Sequence, residues 1–100
     1  MIRINAYIPP DRISFERAAQ IRTTMASLGS ELEFEGLTGH LTVTTKNMHE
    51  VLRILKENAA LLFDAECNGM TPFSEYFGRA PRDEAELIVY AEMCQDRRLI

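Results

Sequence analysis

Apolar and polar side chains alternate from the start of the chain: Ile2, Ile4, Ala6 and Ile8 fall on one side, Arg3, Asn5 and Tyr7 on the other. Period two marks a strand with one buried face. Pro9-Pro10 ends it, since proline offers no amide to a ladder. The period then changes. Phe15, Ala18, Ile21, Met25 and Leu28 recur at the spacing of one helical face, with Ser14 placed to cap the first turn and Gly29 to supply a left-handed stop. Glu31 to Glu35 returns to period two, with Leu32 and Phe34 inward and Glu31, Glu33 and Glu35 outward. Beyond Gly36-Leu37-Thr38-Gly39, Leu41 and Val43 alternate with His40, Thr42 and Thr44. Two short alternating runs joined by a glycine-containing link read as a β-hairpin.

Asn47 stands three residues before Glu50 in the manner of a capping box, and Met48, Val51, Leu52, Leu55, Ala59 and Leu62 continue one helical face. The stretch Ala59 to Cys67 reads two ways. It holds no β-branched residue and Gly69 follows it, which favours one long helix. The rival is a helix that stops near Asn58, followed by a strand through Leu61, Leu62 and Phe63. That strand would complete a β-α-β-β-α-β order, the ferredoxin-like plan. The long helix is the preferred reading. Thr71-Pro72 then opens one or two helical turns that Gly78 closes. After Pro81 comes a last helix, with Asp83, Glu84 and Glu86 in its first turn, Arg97 and Arg98 in its last, and Leu87, Ala91 and Cys94 inward, a polarity that suits the helix dipole.

The expected architecture is a two-layer α+β domain over residues 1–100. A small antiparallel sheet of three or four strands (β-α-β-β-α order) carries helices on one face, followed by a C-terminal helix. The other sheet face, with Arg3, Tyr7, His40, Thr42 and Thr44, is expected to be polar and open. One hundred residues suffice for one core and not for two. With 46% hydrophobic and 26% charged residues the composition is that of a globular chain rather than a disordered one. No apolar run reaches the roughly 18 residues of a membrane helix. Cys67 and Cys94 lie apart in apolar surroundings and read as two buried thiols in a reducing, cytoplasmic setting.

Charge narrows the partners. Residues 1–58 hold seven acidic and seven basic side chains, residues 59–100 eight and four, so the whole net charge of −4 lies in the second part. Nucleic-acid affinity comes from Lys and Arg on phosphates, and no basic stripe is present, so direct nucleic-acid binding is not expected. The Gly36 to Gly39 link resembles the Gly-x-x-Gly clamp of KH domains only in spelling, because that clamp joins two helices and carries basic residues.

Candidate chemistry is sparse. His40 and His49 have no second histidine or cysteine at ligand spacing, which predicts no metal site. Cys67 with a histidine is the single thiol–imidazole combination on offer, and no flanking signature accompanies it. Glu31, Glu33 and Glu35 stand about 7 Å apart along one strand face. Their neighbours supply no apolar pocket to raise a carboxyl's pKa, so a solubilising or docking role is expected over an acid/base one. Phe73, Tyr76 and Phe77 gather beside Arg79, the phenylalanines as a core plug and Tyr76 and Arg79 as outward contacts. These patterns predict an acidic, non-enzymatic, protein-binding module, a regulator or inhibitor without cofactor. It would dock on another protein through Glu31, Glu33, Glu35, Tyr76 and Arg79, and a nucleic-acid-handling protein would offer the complementary basic surface. The alternatives are a dimeric ligand-sensing domain and a small dimeric enzyme using Tyr7, His40 and glutamates.

Overall fold

The computed structural model describes the backbone of residues 1–36, 38–67 and 69–98, and the side chains of that range as far as Cys94. Four strands, β1 (Ile2–Tyr7), β2 (Glu31–Phe34), β3 (His40–Thr45) and β4 (Leu61–Cys67), alternate with α1 (Phe15–Ser27) and α2 (Met48–Glu57). A short α3 (Phe73–Phe77) and a long α4 (Glu84–Arg98) follow. The sheet order is β2-β3-β1-β4, every neighbouring pair antiparallel. β1 and β2 therefore run the same way on either side of β3, joined over α1; β3 and β4 do so on either side of β1, joined over α2. The expected α+β class with helices on one sheet face is what the chain adopts. One apolar cluster joins Ile4, Ala6, Leu41, Val43 and Ala65 of the sheet to Ile21 and Met25 of α1, Val51, Leu52, Ile54 and Leu55 of α2, and Leu87, Tyr90 and Cys94 of α4.

The preferred long helix from Met48 to Cys67 does not form. α2 stops at Glu57, and Leu61–Cys67 is a strand. The stop has the same construction as the end of α1. There Gly29 sits at φ 75°, its N–H donating to Ala26 O and the Ser30 N–H to Met25 O. At the end of α2, Ala59 sits at φ 55°, its N–H donating to Lys56 O and the Ala60 N–H to Leu55 O. Both are two-bond caps around a left-handed residue. The second is hidden in the sequence because alanine, the best helix former, occupies the place where glycine advertises a stop. The strand that follows pairs with the central β1 along its length, a tertiary gain that local propensity cannot report.

Other expectations shift in detail. Ser14 caps α1 as read, its Oγ accepting the Arg17 N–H at 3.1 Å, but Phe15 is 83% exposed and outside the core. Asn47 makes no side-chain cap and Glu50 turns to Arg53. The Asn47 N–H is taken instead by Thr45 Oγ1 at 2.8 Å, so a buried strand residue holds the chain entering α2. Thr71 does not cap α3. That work falls to Asp64 of β4, whose carboxylate accepts the Ser74 N–H at 2.9 Å and the Ser74 hydroxyl at 2.7 Å. Leu37 of the hairpin link and the side chains of Arg97 and Arg98 lie outside the described residues.

Candidate functional site

The sheet face opposite the helices carries alternate residues of all four strands, and register fixes what stands beside what. Glu31 lies opposite Thr44, Glu33 opposite Thr42, and Thr44 and Thr42 lie opposite Arg3 and Asn5. On the far side Arg3 meets Glu66 at 3.0 Å. Together these side chains line a shallow polar trough of about 500 Å³. Arg3 is its one cation, against Glu31, Glu33 and Glu66. Glu31, Glu33 and the following Glu35 are exposed and make no ion pair among the described residues.

The other end of the same face is aromatic. Asn5 pairs with Asp64 and Ala6 with Leu62, so Phe63 is the extra residue of a β-bulge. The bulge turns Phe63 onto the open face, where its ring stands 5.4 Å from His40 and 6.1 Å from Tyr7, with Tyr7 and His40 5.1 Å apart. Phe63 is 42% exposed and Leu61 beside it 57%. Tyr7 and His40 were legible as open-face residues. Phe63 and Leu61 were not, because they were assigned to a helix.

The two sheet edges differ. Asp64 lies on the open-face side opposite Asn5, while Phe73 is buried in the core on the other side. The chain between them therefore wraps round the outer edge of β4, clamped by the Asp64–Ser74 bonds and by Met70 N–H to Cys67 O at 2.7 Å. β2 has no such cover. It pairs only with β3, and because the Glu35 N–H donates to His40 O, the alternation of an antiparallel ladder points the N–H and C=O groups of Leu32 and Phe34 outward. Of the five residues expected to contact a partner, Glu31, Glu33 and Glu35 thus lie on one open edge.

Tyr76 and Arg79 stand elsewhere. Tyr76 is 49% exposed on α3, its ring edge-on to Phe77, and Phe73 forms the core plug between Phe77 and Tyr90. Arg79 is folded against the Phe73 ring and held by both carboxylate oxygens of Glu86. That ion pair is the first reason the Glu86 carboxyl is drawn down to about 2; the Arg82 N–H, donating to the same carboxylate, is the second. No family model matches the chain, and no curated protein or solved structure matches it. The reading of function therefore rests on these surfaces alone.

Proposed function

We propose that the chain is a protein-binding module, a regulator or inhibitor, that receives an extended basic segment of its partner along β2. The single observation behind this is the contrast of edges: the edge of β4 is wrapped and clamped, whereas β2 leaves its backbone groups open beside three unpaired carboxylates. An incoming strand hydrogen-bonds to an open edge through its main chain and is selected by its alternate side chains. Lys or Arg at alternate positions of such a strand meets Glu31, Glu33 and Glu35, while a second copy of β2 brings like charges together and is refused.

A nucleic-acid-handling protein, basic where it holds phosphates, presents this chemistry, and the acidic balance of residues 59–100 favours the same kind of partner. A reducing, cytoplasmic setting fits two unbridged thiols. The element and strand order fit the ferredoxin-like plan, which hosts many unrelated activities and transfers none.

The experiment is binding of a synthetic Lys-Val-Lys-Val-Lys peptide and capture from lysate, each repeated with Glu31, Glu33 and Glu35 changed together to Gln. Opposite-charge cross-strand pairs contribute about 0.3–1 kcal/mol each, so the triple variant should bind about 5- to 100-fold more weakly. Undiminished binding and an unchanged set of captured proteins would remove β2 from the reading. The exposed Tyr7, His40, Phe63 and Leu61 favour a second reading, a dimeric ligand-sensing domain closed over that aromatic end, and a dimer in light scattering would support it.

A further inference from the structure

Cys67 is the last residue of β4 and lies on the core face, opposite the buried Ile2. Cys94 follows Leu87 and Tyr90 on the inward face of α4, the helix that packs against β4. Each is 4% exposed and unbridged. Helix and strand do not close completely at this end of the sheet. Both cysteines line the same cavity of about 480 Å³, whose rim includes Lys46, His49 and Glu92, all exposed. Tyr90 stands at the same seam and donates its hydroxyl to Thr71 O at 2.7 Å. Its phenol is pushed up first by burial and then by the Cys94 and Cys67 thiols, so both sulfurs lie within electrostatic reach of one oxygen.

We propose that Cys67 and Cys94 form an oxidisable dithiol that a small peroxide, entering through this cavity, converts to a disulfide tying the end of β4 to α4. One thiolate attacks the peroxide, the O–O bond breaks, water leaves, and that sulfur becomes a sulfenic acid. The second thiolate displaces its hydroxyl as a second water, and the S–S bond forms. Two thiols are oxidised, one hydrogen peroxide is reduced, and the two thiol protons end in the two waters. Buried thiols on facing elements are the arrangement an intramolecular bridge requires, since such a bond spans only about 4–7 Å between α-carbons. In a reducing compartment the pair rests as thiols and the bridge forms under oxidative stress.

The test uses the full chain, reduced and then exposed to hydrogen peroxide, unfolded in an alkylating agent, and weighed intact. The expected result is a loss of about 2 Da with no alkyl adduct, a Cys67–Cys94 linked peptide in a non-reducing digest, and a Tm about 10 °C higher that dithiothreitol reverses. Cys94→Ala should keep one alkylatable thiol or its sulfenic acid and show no rise in Tm. Two alkylatable thiols surviving in the peroxide-treated wild-type chain, or a bridge found only between two chains, would overturn the proposal.

Discussion

At the scale of single residues, the backbone at Gly39 is the most constrained point beside the candidate edge. Its φ is 89°, and a β-carbon there would meet Ile8 O at 2.4 Å and Tyr7 Cε2 at 2.9 Å, because the Gly39 carbonyl accepts the Ile8 N–H at 2.9 Å. Gly36, in the same hairpin at φ 56°, has nothing near it. Gly39→Ala is therefore expected to cost about 2–4 kcal/mol and Gly36→Ala about 1 kcal/mol, a difference that urea unfolding would read. A second prediction concerns Glu86. Its carboxyl is held down to about 2 by Arg79 and the Arg82 N–H. A group whose folded pKa is depressed adds stability that is fully present above its unfolded pKa and is lost as the pH falls through the folded value. The Tm gap between wild type and Glu86→Gln should thus be constant near neutrality and should shrink from about pH 5 down to pH 2, while carbon NMR of the Glu86 carboxyl should titrate near the bottom of that window. A gap that does not change with pH would detach Glu86 from Arg79.

At the scale of elements, the end of α2 decides the fold, and one substitution separates the two readings of the sequence. With Ala59 left-handed at φ 55°, Ala59→Gly should stabilise the protein by about 0.5–1 kcal/mol, since glycine carries no penalty there. In a continuous helix the same change would cost about 1 kcal/mol, so the sign of the shift in urea midpoint is the answer. This is also where legibility in the sequence ends. β1, α1, β2 and β3 were readable because their period was clean and Ser14 and Gly29 stand where a cap and a stop belong. β4 was not, because Leu61-Leu62-Phe63 is apolar without alternation, its alternation is broken by the bulge at Phe63, and alanine fills the cap. The cap of α3 was likewise out of reach, since Asp64 is remote from it in sequence. The three glutamates were visible as a row along one strand; that their strand is the uncovered edge depends on β4 and α3 folding as they do.

At the scale of the whole molecule, the open face is divided between carboxylates and exposed rings, and the helix layer leaves it bare. Like charges along β2 should keep the wild-type chain apart from itself. Light scattering should give the 11.4 kDa monomer, whereas the variant with Glu31, Glu33 and Glu35 changed to Gln should associate as concentration rises, the refused strand pairing then being permitted. No described helix is long and apolar enough to cross a membrane, so the exposed rings and the open edge face whatever partner the chain meets in water. The central claim is that a basic strand adds to β2, and amide hydrogen exchange reads it most directly. In the free chain the Leu32 and Phe34 amides should exchange quickly, and on addition of the Lys-Val-Lys-Val-Lys peptide these two should slow together while the amides of α3 and α4 stay as they were. Protection confined to α3 or to the aromatic end, with Leu32 and Phe34 unchanged, would contradict it.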